Sequence, residues 1–264
     1  MVSGKTVLIL PDSHAKPGVS NARYDWLARM IVDRKPDIVI DLGDFADMES
    51  LSSYDKGKLS GQNRHVGRDI EVAVNARKRL TEPIHAETER LRQNKRKIWA
   101  PRLVAIGGNH EWRIDRYIND HPELKGIMKQ DISKAAEMGW EWYDYQARCV
   151  VEGFNVRHRY EQGGRPVTSA KYPAAVLLDK GFESALAGDS HKWDIATRTT
   201  WSGKKIAAVI CGCYFGHEEA YAGTSNADWD RCITILYGVE NGGYSGAHDK
   251  IPYDQVRHDY GGIQ

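Results

Sequence analysis

Thr6-Val7-Leu8-Ile9-Leu10-Pro11-Asp12-Ser13-His14 is a β-branched and aliphatic run, stopped by proline and followed at once by two metal-binding side chains. Four apolar residues after Thr6, without alternation, read as a strand buried on both faces, and Pro11 turns the chain into a loop. Asn21 is placed to cap a helix that runs to about residue 34, with Trp26, Leu27, Met30 and Ile31 at helical spacing. Pro36 ends it, and 38–42 is a second buried run closed by Gly43. Strand, helix and strand in this order predict a parallel pair covered on both faces, and so an α/β fold.

Outward from this unit, 69–97 is helix-compatible but interrupted by Pro83, which predicts a hairpin of two helices. Residues 102–106 form a third strand ending in Gly107-Gly108, and helices are expected over 111–119 and 124–138, split by Pro122. The second half is richer in strands, at 149–151, 154–158, 184–187, 194–200, 205–211 and 231–239, with one helix near 170–180. No solenoid-period repeat and no biased linker divides the chain. The expectation is one domain over 1–264, a helical insertion at 61–100 and an irregular C-terminal tail at 240–264.

The chain has 264 residues, with 37 Lys and Arg against 36 Asp and Glu. That near-neutral balance excludes a globally basic nucleic-acid coat and an acidic disordered protein. Its apolar runs are far shorter than the roughly 18 residues a membrane span requires, and no secretory signal is visible at the N-terminus. Four cysteines are too few for a disulfide scaffold, and Cys211-x-Cys213, in an apolar run, is a poor metal site. A reduced, cytoplasmic protein without membrane association is expected.

The informative feature is where metal-binding side chains fall. Asp12-Ser13-His14 follows the first strand, and Gly43-Asp44 follows the second with Asp47 three residues on. Gly108-Asn109-His110-Glu111 follows the third, His158 ends a later strand, and Gly188-Asp189-Ser190-His191 follows another. Each of these alone is an ordinary turn. Together they put Asp, Asn or His at five strand ends, which in an open α/β sheet share one edge where ligands bind. Carboxylates, a carboxamide and imidazoles form a mixed O/N set suited to Mn²⁺, Fe or Zn²⁺ rather than Ca²⁺.

On these residues the sequence resembles the calcineurin-like metallophosphoesterase family, in particular its small phage and prophage members. The family's ordered signature, D-x-H, G-D-x-x-D, G-N-H-E, H and G-H-x-H, is matched by the five clusters just quoted, from about residue 5 to 215. The resemblance implies a four-layer α/β/β/α sandwich and two divalent ions. Mn²⁺ is the expected ion, with Fe, Zn²⁺ and Ni²⁺ as alternatives. It implies that Asp12, His14 and His191 hold the first metal, that Asp44 bridges, and that Asn109, His158 and residue 189 hold the second. The family carries His at that last position; this chain has Asp189, which would ligate directly or through water. His121 and His217 are rivals to His158. The reaction implied is in-line attack on phosphorus by a metal-bridging hydroxide, with His110 as proton donor and Asp47 orienting its ring.

The substrate is less sharply defined, since a fold and a metal site do not name one. The phosphoprotein-phosphatase branch extends its second motif to G-D-x-x-D-R-G, whereas Met48 and Glu49 follow Asp47 here. Loss of that arginine fork points toward a diester. Arg113 and Arg116 are candidate substrate-binding substitutes. Residues 61–102 hold eleven Lys and Arg against five Asp and Glu, a basic projection suited to a nucleic-acid backbone, and Trp99 and Trp112 are candidates for stacking on bases. The first expectation is therefore a nuclease-type phosphodiesterase acting on DNA or RNA. A phosphomonoesterase (nucleotidase or protein phosphatase) is the alternative, and a metal-stabilised interaction module without catalysis is the third. Protein partners are unknown.

Overall fold

In the computed structural model, which describes residues 4–53 and 57–262, two mixed sheets lie against each other with helices outside. The first sheet contains β1 (Lys5–Leu10), β2 (Ile38–Asp41), β3 (Arg102–Ile106) and β4 (Glu141–Tyr143), all parallel. The second contains β5 (Cys149–Val151) and β6 (Phe154–Val156), and a small hairpin, β7 (Glu161–Gln162) with β8 (Arg165–Pro166), stands apart. It is completed by β9 (Ala185–Ala187), β10 (Trp193–Thr199) and β11 (Lys205–Cys211), in the order β10-β11-β9-β6-β5. The chain then returns through β12 (Cys232–Val239), antiparallel to β1, and β13 (His248–Pro252) at the edge of the first sheet.

Three cores explain the packing. Val7, Ile9, Ile40 and Val104 on one face of the first sheet meet Val151, Phe154, Leu186 and Val209 of the second. On the other face, Leu8, Leu10, Val39 and Leu103 pack against helices α1 (Ala22–Arg34) and α2 (Val66–Gln93). Leu177 and Leu178 of α4 (Pro173–Gly181) cover Ile206, Ala208 and Ile210 on the outer face of the second sheet. Period-2 alternation sends neighbouring residues of β1 into different cores, and both faces are apolar, as the unbroken run required.

Three expectations are corrected. The stretch at 61–100 is no helical hairpin: α2 runs unbroken through Pro83. A mid-helix proline costs about 3 kcal/mol, and the buried stripe of Ala73, Ala76, Leu80, Ile84 and Leu91 offsets it by packing α2 along the body. Residues 124–138 are not helical beyond short 3₁₀ turns; Asp131 instead accepts the Ala135 and Ala136 amides, a local bond that competes with helix. The tail over 240–264 is not irregular, since β13 is followed by α5 (Tyr253–Tyr260), whose Val256 is buried in the helical core; residues 263 and 264 lie outside those described.

Candidate metal centre

The C-terminal ends of β1, β2, β3, β6 and β9 face one edge, and the five loops that leave them carry the five motifs. The loops are forced into close contact. His14, Asp44, Asp189 and His191 all have left-handed backbones, with φ of 45°, 49°, 69° and 56°. Non-glycine residues there cost of order 1–3 kcal/mol and persist where the surroundings over-determine them. A Cβ at Gly108 would overlap Asp44, and one at Gly188 would overlap Asp12 Oδ1, so these two glycines let the carboxylates approach. Glu111 ties the second and third loops together: its carboxylate accepts the amides of Asp44 (3.1 Å), Ala46 (2.8 Å) and Gly108 (2.8 Å). Burial and the Asp44 charge push its pKa up to about 7.

Among the described residues three groups of side chains could hold ions: Asp12, His14 and His191; Asp12, Asp44 and His158; and His14, Asp47 and His110. Asp12, His14 and His191 present ligand atoms within 4.8 Å of one another, all buried. His191 Nε2 is 3.2 Å from Asp12 Oδ2, while Asp12 Oδ1 and both ring nitrogens of His14 are buried without any hydrogen-bond partner. Orphaned buried polar atoms are costly, and a cation here would satisfy Asp12 Oδ1 and one of the two His14 nitrogens. Asp12, Asp44 and His158 form the second group. There His158 Nδ1 donates to the Leu42 carbonyl at 2.9 Å, which turns Nε2 toward Asn109 Oδ1 (3.0 Å) and Asp44 Oδ2 (3.3 Å). A neutral imidazole nitrogen, a carboxamide oxygen and a carboxylate oxygen are all acceptors, so only a proton or a metal ion between them makes the arrangement favourable. Burial opposes charge on His158, but Asp44 and Asp12 outweigh it and raise its pKa well above the ordinary value. Asp44 stands between the groups, 3.9 Å from His14 Nε2. Burial alone would raise its pKa; His110, His158 and His14 hold it well below the usual carboxylate range.

His110 and Asp47 lie together on the His14 side, with His110 Nδ1 2.9 Å from Asp47 Oδ1. Burial disfavours the imidazolium, but the Asp44 and Asp47 charges prevail and raise its pKa. Burial likewise pushes Asp47 up, and the imidazoles of His110 and His14 bring it well down. Arg113, the first residue of α3 (Arg113–Asp120), donates through Nη1 to the Asp47 carbonyl at 2.9 Å, and its Nη2 lies 3.0 Å from His110 Nε2.

Of the remaining expected site residues, Asp189 sits at the rim. Its Oδ1 is 3.8 Å from His158 Nε2 and 3.5 Å from Arg159, while Oδ2 accepts from Thr168 Oγ1 at 2.7 Å. Burial raises its pKa against the pull of His158. Arg116 is exposed on α3 with its guanidinium over the Trp112 ring. His217 is paired with Glu219 and His121 stacks on Tyr117, so neither joins the candidate ligand groups, whereas His158 does. Sequence reasoning missed Lys16, whose ammonium is 2.6 Å from Glu219 and 3.6 Å from Asp47. It also missed Thr168, Arg159, Tyr145 and the aromatic wall of Phe215 and Trp229 around His191. None has a local motif; Lys16, two residues from His14, and Arg159, next to His158, lay close enough in the chain to be found.

Most of the basic stretch over 61–102 lies away from the site, with Arg64 the exception, since it lines a hollow together with Arg113 and Arg116. Arg77 is wholly buried, with its guanidinium 3.6 Å from the Phe45 ring centroid, and pairs with Asp41 under the first sheet. Arg79, Arg90, Arg92 and Arg102 pair with Asp25, Glu87, Glu89 and Glu141. Lys97 and Arg102 share a hollow with Lys5 and Lys35, where strands β1 and β3 begin, opposite the metal-binding edge. Trp99 lies there too, bonded to the Pro36 carbonyl. Among the described residues no helix is long and apolar enough to cross a membrane.

Comparison with protein-family models and with curated protein sequences finds no match.

Proposed function

We propose that this chain is a divalent-metal-dependent phosphoesterase of the calcineurin-like type, hydrolysing phosphate diesters, with nucleic acid as the substrate class. The observation that carries the reading is the meeting of Asp12, His14, Asp44, Asn109, His158 and His191 from five loops, with buried ligand atoms left unpartnered on Asp12 and His14. The order of the three cores, helices against sheet, sheet against sheet, and sheet against helix, supports the four-layer α/β/β/α sandwich of that family within one domain. The first ion would be held by Asp12, His14 and His191, the second by Asn109 and His158, with Asp44 shared and Asp189 at the rim. Mn²⁺ suits this mixed set, in which the Asp189 carboxylate adds a fourth oxygen beside three imidazole nitrogens. Bound divalent ions supply Lewis-acid charge for the phosphate oxygens and acidify the attacking water.

The chain's own groups then account for the proton. Asp47 fixes the His110 ring through Nδ1, leaving Nε2, 3.7 Å from Asp44 Oδ2, as the nitrogen that hands a proton to the leaving oxygen. Arg113 now donates to that nitrogen, which belongs to the neutral ring, so the guanidinium must turn away before Nε2 is protonated. Four buried free thiols fit a reducing compartment such as the cytoplasm.

The position after Asp47 is filled by the buried Met48, in place of an arginine fork, which favours the diester reading. Arg113, anchored on the Asp47 and Met48 carbonyls, favours the monoesterase reading. Chromogenic diester and monoester substrates, compared with Mn²⁺ present, decide between them, and nicking of supercoiled plasmid tests nucleic acid directly. Failure to hydrolyse any of the three with metal bound would leave a binding module.

A further inference from the structure

Trp112 lies two residues beyond His110 and directly before α3, and 36% of its surface is in water. It is not isolated. Its ring centroid is 5.5 Å from that of Tyr145 at an interplanar angle of 32°, and the Arg116 guanidinium is 5.4 Å from the indole. Tyr145 in turn lies 6.5 Å from the His158 imidazole. Arg116, Trp112 and Tyr145 therefore form a ladder that leads from solvent to the Asn109–His158 side of the metal centre. The ladder is anchored from below, since the Tyr145 amide is bonded to Gln130 Oε1 at 2.7 Å. Among the described residues, Arg116 makes no ion pair.

We infer that Trp112, with Arg116 and Tyr145, is a stacking platform that binds a base of single-stranded nucleic acid next to the metal centre. The inference rests on the phosphoesterase reading for the backbone it presents, and narrows the substrate from nucleic acid to an unpaired strand. Every base has a π-face; with Tyr145 against the indole, a base stacks where the exposed Arg116 guanidinium now lies, and that long side chain swings out to cover the base, without sequence preference. Bases inside a duplex are already stacked on one another and must be extruded at a cost of a few kcal/mol. A phosphate ester without a base offers the indole nothing. Arg113 and Arg116 on the same helix add positive charge for the phosphates between bases.

The test is fluorescence anisotropy with a labelled oligothymidylate, an abasic strand of equal length and a hairpin duplex. Binding is read in Mn²⁺ on a His110→Gln background, where cleavage is slowed, and again in EDTA. The parent should prefer the thymidylate over the abasic strand by about ten-fold, equivalent to about 1.4 kcal/mol. Trp112→Ala should erase that preference, Trp112→Phe should keep most of it, and an unchanged melting temperature would show both are folded. Arg116→Ala should instead flatten the salt dependence. Equal binding of the two strands, a duplex preferred to both, or an unaltered Trp112→Ala overturns the platform. Small-diester hydrolysis is scored separately, so a failed platform with active enzyme is distinguishable from a failed catalytic reading.

Discussion

His110 Nδ1 rests 2.9 Å from Asp47 Oδ1, deep enough that both side chains are less than a tenth exposed. The pair leaves only Nε2 for chemistry, and Arg113 now occupies it. A ring held this way is positioned for a proton transfer; His110 also belongs to a third group, with His14 and Asp47, that could hold an ion, but Asp47 at Nδ1 and Arg113 at Nε2 already take both ring nitrogens.

His110→Ala is therefore expected to take up metal with the parent's stoichiometry while turnover on a diester falls roughly 10²- to 10⁴-fold, the usual value of a general acid. Elemental analysis beside steady-state kinetics checks it. Full turnover would remove His110 from the reaction.

Asp44 contacts groups on both sides of the centre. Asp44→Asn should lower metal content and abolish hydrolysis. In the parent, Mn²⁺ at a hundred times its dissociation constant should stabilise the fold by about 2.7 kcal/mol, a rise of roughly 5–10 °C in melting temperature. Calorimetry with Mn²⁺ and with EDTA reads this; coincident transitions would mean that nothing binds.

Asp189 carries a carboxylate where the resembled family carries an imidazole, anchored by Thr168 and Arg159. Asp189→His should shift metal preference from Mn²⁺ toward Zn²⁺, measured by competitive loading. An unchanged preference would place residue 189 outside the ligand sphere.

Stability should fall in alkali. Burial pushes the Cys149 thiol up to about 11 and that of Cys232 up to about 12, whereas an unfolded chain releases these protons near pH 9. Above that value the native state binds more protons than the unfolded state, so unfolding becomes easier as pH rises. The full contribution is present below about pH 9 and disappears through pH 11–12. Urea midpoints at pH 7, 9 and 10.5 should decline, less steeply in a Cys149→Ala, Cys232→Ala double variant. A midpoint that holds level to pH 10.5 contradicts this.

Much of the architecture was legible because β1, β2 and β3 are short apolar runs that end in proline or glycine. Such runs have one good solution, a strand covered on both faces, and the motif residues inherit their common edge from it. Local rules failed where packing outweighed them. Pro83 should have broken α2, and the buried apolar stripe carried the helix through. The tail over 240–264 reads as irregular, and a free sheet edge on β12 and a seat for Val256 ordered its residues 248–260.

The candidate site divides in the same way. The amino-acid order alone determined which side chains are suited to hold a metal and that they follow strands, because motif spacing and strand ends are local properties. Only the tertiary structure decided that Arg77 is buried beneath Asp41 rather than offered to a ligand. It also decided that Lys16, Thr168 and Tyr145 stand beside the motifs, and that the basic hollow around Lys97 faces away from the centre. Those outcomes depend on which element packs over which, and long-range contacts between residues far apart in the chain leave no periodic trace in it.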